Sequence, residues 1–309
     1  MINIFITGGS GYLGSSIIYH LNKSGKYRLT SFSRSKPKAP LQNIKYICGD
    51  ILNKKSLLSA MKGFEIVIHL AGGGGEGKCL SKPIENTQIN LIGVNNIVEV
   101  AKYCGIKNII FASSIYVYTS YANADLPIDE KMNRNPDSFY GTLKYLGEEI
   151  IKNSGLNFII FRFSNIYGSI NDIEMPMGAI GHFLKAIEKN ENIRIFGKGR
   201  NIIDYVHIKD VIKVFELTLN EKFKNKFYNI AGNEPISLRD LAKLIIEIAN
   251  QVGVRYKKNI KYLELSDKNF SDLWLSIKKV KNDLGWSPKI NLKTGVKNHI
   301  DHIINNSQK

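Results

Sequence analysis

The sequence predicts an α/β fold, a doubly wound parallel sheet with a smaller C-terminal α/β subdomain. Three observations carry this expectation. Short apolar runs alternate with helical patterns through the first half of the chain. A glycine-rich turn follows the first apolar run directly. No low-complexity linker interrupts the 309 residues, so two interleaved parts fit better than two beads on a string.

Ile2–Thr7 is an apolar run ending in glycines and reads as the first strand. Residues 14–23 follow with helical spacing, and Tyr27–Ser33 and Ile44–Cys48 are the second and third strands. Lys55–Met61 is helical, and Glu65–Leu70 (EIVIHL) is the fourth strand. A helix over 86–104 leads to a fifth strand at Asn108–Ser113, and a helix over 138–153 leads to a sixth at Phe158–Phe163. Beyond Gly168 the rhythm loosens. Asp172–Gly178 is loop-like, 179–189 is helical, and Gly197–Asn201 is a basic turn. Asp204–Val214 is a strand running into a helix, and Ser237–Asn250 opens with an N-cap serine. These breaks suggest a first domain of 1–168 plus about 202–228, and a second of 169–201 plus 229–309.

Composition narrows the functional classes. The formal charge of +16 raises nucleic acid as a partner, yet only eight of the 43 basic residues are arginine and the lysines are spread along the chain. Nucleic-acid binders concentrate charge in a patch with arginine for bidentate contacts, so the expectation is anionic small molecules and no nucleic acid. No apolar run reaches the ~18 residues of a membrane span, and Met1-Ile-Asn-Ile-Phe leads straight into a strand with no secretory pattern. Cys48, Cys79 and Cys104 lack CxxC spacing and read as reduced thiols of a cytoplasmic protein. His69, His182 and His207 show no paired-ligand spacing, so no metal is expected.

Gly8, Gly11 and Gly14 lie between the first strand and the first helix in the spacing GxxGxxG. A turn of this kind needs positive φ, bare backbone where a diphosphate approaches, and close packing of helix on strand. Helix N-terminal amides then favour the diphosphate, so the motif predicts a dinucleotide cofactor. Asp50, at the end of the third strand, is placed either to accept from an adenine amino group or to cap its own turn. The second strand ends Ser31-Phe32-Ser33-Arg34-Ser35-Lys36, without the acid that usually receives the ribose 2′-hydroxyl of NAD. Ser33 and Arg34 suit a 2′-phosphate, which favours NADP(H) over NAD(H).

Tyr140 and Lys144 form YxxxK on a predicted helix, and the i, i+4 spacing puts both on one face. An ammonium beside a phenol is expected to pull the tyrosine pKa down from ~10, fitting it to exchange a proton with a carbinol oxygen. Ser113-Ser114 ends the fifth strand, where strand ends face the ligand crevice of such a sheet.

In these residues the chain resembles an extended short-chain dehydrogenase/reductase of the NAD-dependent epimerase/dehydratase type. The similarity runs nearly end to end: TGGSGYLG at 7–14, HLAG at 69–72, NLIG at 90–93, FASSIYVY at 111–118, YGTLK at 140–144, RFSNIYG at 162–168, FYNIAG at 227–232 and KNDLGWSP at 281–288. The resemblance implies a Rossmann-type cofactor half and a nucleotide-sugar substrate held by the C-terminal part. It makes Ser114 the hydroxyl that holds the reacting oxygen, Tyr140 the general acid or base, and Lys144 a contact to the nicotinamide ribose. Cofactor contacts are implied for Tyr12, Leu13, Ile51, Leu70, Ala71, Gly72 and Asn90. Substrate contacts are implied for Gly73, Gly74, Asn165 and Arg200. Arg162 is expected, with Arg34, Lys144 and Arg200, to meet an anionic ligand. Related enzymes dimerise through helices matching 86–104 and 138–153, so a homodimer is expected.

Departures from the family pattern narrow the chemistry. Dehydratases of the group follow the serine or threonine with an Asp-Glu pair, and Ile115-Tyr116 stands here instead. The family's diphosphate-binding arginine is replaced by Ile203, with Arg200 three residues earlier. Glycines at 72–75 read either as a flexible loop or as extra room beside the nicotinamide. The favoured expectation is reduction of a 4-keto sugar nucleotide. A 4-epimerase with tightly held NAD is the alternative, and a non-catalytic dinucleotide-sensing regulator is a third.

Overall fold

The computed structural model describes residues 1–73, 75–118, 126–170, 178–219, 225–264 and 272–307. Six strands alternate with helices in its first part: β1 (Ile2–Thr7), β2 (Tyr27–Ser33), β3 (Lys45–Cys48), β4 (Ile66–His69), β5 (Asn108–Ser114) and β6 (Asn157–Phe163). Among them run α1 (Tyr12–Lys23), α2 (Lys54–Ala60), α3 (Glu76–Ser81), α4 (Pro83–Thr87), α5 (Gly93–Tyr103) and α6 (Phe139–Lys152). The sheet has seven strands in the order Lys226–Ile230, β6, β5, β4, β1, β2, β3. Every pairing among β1–β6 is parallel. The order steps outward from β1 in both directions, which brings the carboxyl ends of β1 and β4 side by side at the switch point. Phe5, Val67, Ile109 and Phe111 from the strands bury with Val94, Ile97 and Ile151 from α5 and α6 in one core.

The stretch expected as one helix over 86–104 is interrupted. Gln88–Ile92 forms a π-helical turn between α4 and α5. At its centre Asn90 is buried, its Nδ2 donating to the Asn86 carbonyl at 2.9 Å. A π-turn of this kind leaves local carbonyls out of the ordinary helical ladder, and hydrophobic periodicity does not report that slip.

The chain divides into two units, Met1–Thr119 with Glu130–Phe163 and Ile212–Asn229, and Ser120–Asp129 with Ser164–Val211 and Ile230–Lys309. Residues 164–168 and 202–211 therefore fall in the second unit, unlike the division expected from sequence. The physical reason is a pairing: Asn165–Tyr167 lies parallel to Tyr205–His207 in a separate two-stranded sheet. The second unit builds its own core from Phe183, Leu184, Leu241, Ile245 and Val296. Its helix Leu238–Gln251 starts as expected, with Ser237 Oγ accepting the Asp240 amide at 3.1 Å.

Candidate active site

The glycine turn is demanded by packing. Gly8 has φ +71°, and a Cβ there would lie 2.7 Å from the Ala71 amide nitrogen. A Cβ on Gly14 would come within 2.3 Å of the Gly8 carbonyl oxygen, and one on Gly11 within 3.2 Å. Gly11 is also the N-cap of α1, which has no side-chain cap and no acid in its first turn. The first amides of α1, at Tyr12 and Leu13, thus begin a helix whose positive end no local carboxylate offsets. This cradle of bare backbone fits a dinucleotide diphosphate. Thr7 ties the turn to β4: its Oγ1 accepts the Leu70 and Ala71 amides at 3.2 Å each and bonds His69 Nδ1 at 2.6 Å. Burial, aided by the Lys144 charge, drops the His69 pKa to about 3, so the ring is a neutral structural group.

At the end of β2, Ser33 Oγ accepts the Ser10 amide of the glycine turn at 3.1 Å. Arg34 follows, exposed, with Nη1 3.5 Å from Glu85 Oε1. One Asp50 oxygen accepts the Leu52 amide at 2.9 Å, so this carboxylate caps its own turn. Ile51 turns its side chain into the core, where a Cβ on Gly93 would meet its Cδ1 at 2.4 Å, and its carbonyl accepts from Asn96.

The glycine run after β4 has close neighbours at two positions. A Cβ on Gly72 would sit 3.1 Å from Asn90 Oδ1 and 3.3 Å from Lys144 Nζ, and one on Gly73 would collide with Asn86 Oδ1 at 1.5 Å. Gly73 therefore makes way for the Asn86 side chain, whereas Gly72 is exposed and is approached closely by Asn90 and Lys144. Gly74 lies outside the described residues.

Successive side chains of β5 point to opposite faces, and this separates the two serines. Ser113 Oγ donates to Glu148 Oε1 at 2.5 Å, inside the protein. Ser114 Oγ accepts the Tyr116 amide at 3.3 Å and lies near enough to the Tyr140 phenol to lower its pKa. The helix α6 that carries Tyr140 starts at Ser138, whose Oγ accepts the Gly141 amide at 3.0 Å. One turn on, buried Lys144 donates from Nζ to the Ala112 carbonyl at 3.0 Å, and this nitrogen is 5.9 Å from the Tyr140 ring centre. Ser114, Tyr140 and Lys144 therefore form one cluster. Ile115 is buried and Tyr116 meets Tyr140 edge-on at 6.1 Å, so no carboxylate follows Ser114.

The electrostatics differ from the sequence expectation. Burial dominates, holding the Tyr140 pKa well above that of free tyrosine, against the opposing pull of Ser114. Burial also lowers Lys144 to about 8, opposed by Cys79 and Glu148. The spacing YxxxK brings the pair together but carries no information about desolvation, which is the larger effect.

Sequence reasoning missed two neighbours. Cys79 of α3 is fully buried, its Sγ 4.0 Å from the Gly73 carbonyl, and α3 packs on α6. Glu148 is the next i+4 step after Lys144, and that spacing is the signal that could have found it. It is fully buried, accepting from Arg162 Nε at 3.0 Å and Nη2 at 2.7 Å and from Arg134 Nη1 at 3.0 Å. Arg162, expected to meet an anionic ligand, is instead 2% exposed and bound within the protein to Glu148 and the Tyr118 hydroxyl.

Asn165 and Arg200 belong to the second unit. Asn165 Nδ2 donates to the Asp204 carbonyl at 3.2 Å, and Arg200 is exposed on its turn. Ile203 pairs antiparallel with Ile236.

Comparison with known proteins agrees with this architecture. The chain is 32% identical over 319 aligned residues to a putative UDP-glucose 4-epimerase of Methanocaldococcus jannaschii, covering 99% of both. It is 25% identical to the dTDP-D-glucose 4,6-dehydratase of Mus musculus, covering 96% of this chain and 87% of that one. The crystal structure of UDP-glucose 4-epimerase from Thermotoga maritima with UDP-glucose superposes with a TM-score of 0.89, at 26% identity, covering 99% of this chain and all of that one. Residues 4–231 match the family model described as the NAD dependent epimerase/dehydratase family. This chain is an enzyme of the extended short-chain dehydrogenase/reductase type and belongs to the NAD dependent epimerase/dehydratase family.

Proposed function

We propose that the enzyme is a nucleotide-sugar 4-epimerase working with NAD, and that a UDP-hexose is the first substrate to offer. The observation that carries this reading is the cluster of Ser114, Tyr140 and Lys144 with no carboxylate after Ser114. Elimination of water would need such an acid pair; proton exchange at a sugar hydroxyl does not. Motifs alone favour 4-keto reduction, whereas the family description and the name of the 32%-identical relative support epimerisation.

When bound, NAD supplies a hydride acceptor and a positive charge. Desolvation raises the pKa of the half-buried Tyr140 phenol, so it is protonated at rest, and added positive charge favours its phenolate. Once its own proton has passed to solvent, Tyr140 as the phenolate takes the proton from the sugar 4-hydroxyl and later returns it, while Ser114 holds the same oxygen. Lys144 stabilises the phenolate by charge, and with a pKa of about 8 it stays charged at neutral pH. The glycine turn and the start of α1 hold the diphosphate.

Incubation with UDP-glucose and NAD, followed by chromatographic separation of the epimers, checks this reading. Conversion without net change in nicotinamide absorbance is expected, and Tyr140→Phe should lower kcat by about 10²–10⁴-fold. The second reading, an NADPH-dependent 4-ketoreductase, is favoured by Ser33 and Arg34 at the end of β2. Steady NADPH consumption on a 4-keto sugar nucleotide, with no epimer formed, would establish it instead. The proposal includes a cytoplasmic homodimer joined by the helices within 86–104 and 138–153, where Ile92, Tyr103 and Leu146 are exposed. Sedimentation at monomer mass would remove that part.

A further inference from the structure

We infer that Glu85 sets the choice between NAD and NADP by pairing with the cations that would otherwise take a 2′-phosphate. This inference rests on the reading of the glycine turn as a dinucleotide site. β2 ends beside that turn, because Ser33 Oγ holds the Ser10 amide at 3.1 Å while the Ser33 carbonyl accepts the Gly49 amide at 3.0 Å. Arg34 therefore leaves the sheet where a doubly wound fold receives the adenosine ribose.

No acid occurs from Ser31 to Lys36. A carboxylate nevertheless reaches this place from another element. Glu85, on α4, has one oxygen 3.5 Å from Arg34 Nη1 and the other 3.4 Å from Lys82 Nζ. All three side chains are exposed, at 69% for Arg34, 44% for Glu85 and 71% for Lys82, so the pairs exchange readily with a ligand. The triad combines the two opposed recognition chemistries. Arg34 and Lys82 can bind a phosphate, and Glu85 can accept a hydrogen bond from a ribose hydroxyl. An incoming 2′-phosphate gains two cations, but it must displace Glu85 and endure its repulsion. A 2′-hydroxyl meets an acceptor and no like charge. Glu85 thus restores, from α4, the acid that β2 lacks.

The test measures dissociation constants of NADH and NADPH by nicotinamide fluorescence, which needs no turnover, in wild type, Glu85→Gln, Glu85→Asp and Arg34→Ala. Glu85→Gln should tighten NADPH relative to NADH by about two- to fivefold, a change of the size expected for an exposed charge contact. Glu85→Asp keeps the charge and should stay near the wild-type ratio. Arg34→Ala should shift the ratio toward NADH. An unchanged ratio in Glu85→Gln, with both dinucleotides still binding, overturns the role of Glu85 alone. Failure of wild type to bind either dinucleotide overturns the cofactor reading and the Glu85 proposal with it.

Discussion

Glu148 and Glu85 each gather two cations, and their settings are opposite. Glu148 is fully buried, held by Arg162 through two bonds, by Arg134 and by Ser113. Glu85 is half exposed and meets Arg34 and Lys82 at 3.5 and 3.4 Å. Charge type and partner number are nearly the same, so burial decides what each carboxylate does. Around Glu148 the charges have lost their water and depend on one another. Burial opposes the Arg162 charge, yet its bonds to Glu148 outweigh that and hold its pKa above the ordinary value. Around Glu85 water can replace either partner. The first cluster fixes geometry, since it joins α6 to Ser113, the residue before Ser114. The second can be exchanged by a ligand without disturbing the fold.

The largest expected effect follows from breaking the buried cluster. Glu148→Ala leaves Arg162 charged and unpaired in the interior, which costs about 3–5 kcal/mol for a buried pair broken on one side. Denaturant unfolding monitored by circular dichroism should show a large fall in midpoint. A shift within the range of a surface substitution, about 0.5 kcal/mol, would mean that the cluster does not carry the positioning described.

How much of this was legible in the sequence depends on what each feature needs to be recognised. β1 was readable to the residue because a buried strand of a parallel sheet is a short apolar run bounded by turn residues. Tyr140 and Lys144 were readable because i, i+4 spacing is local. Arg162 was misread. Within the strand FIIFRF its charge was visible, but its partner lies 14 residues away on another element. The alternation that aims Arg162 inward does not say what waits there. The glycines at 72–75 stayed open between two readings for a similar reason, since the Asn86 side chain that fills the place beside Gly73 comes from a helix beyond the loop.

A smaller effect tests the border between the two settings, where Lys144 is buried with one hydrogen bond to a carbonyl. Its pKa falls from 10.5 to about 8 on burial, so the folded state binds this proton less tightly than the unfolded chain. The resulting cost is fully present below about pH 8 and is relieved as pH rises toward 10.5, because over that interval the unfolded state holds more protons. Relative to Lys144→Met, wild type should therefore gain stability between pH 8 and 10, measured as the difference in chemical-denaturation midpoints. A difference that stays flat, or that moves the other way, would remove burial as the controlling factor at this lysine.

The smallest effect makes the sharpest contrast. Glu85→Gln removes an ion pair whose members are all solvated, and such pairs contribute about 0–1 kcal/mol. Its effect on unfolding should be slight at low salt and vanish as the Debye length shortens to about 3 Å near 1 M salt. The loss in Glu148→Ala should persist at that salt concentration, because ions do not enter a fully buried site. Measuring both variants across one salt series isolates burial, since each removes a carboxylate from beside two cations. Parallel salt dependence in the two variants would show that they share one electrostatic regime, and the contrast would fail. Divergent curves would mean that the same chemical pair serves as a fixed joint at α6 and as an exchangeable contact beside β2.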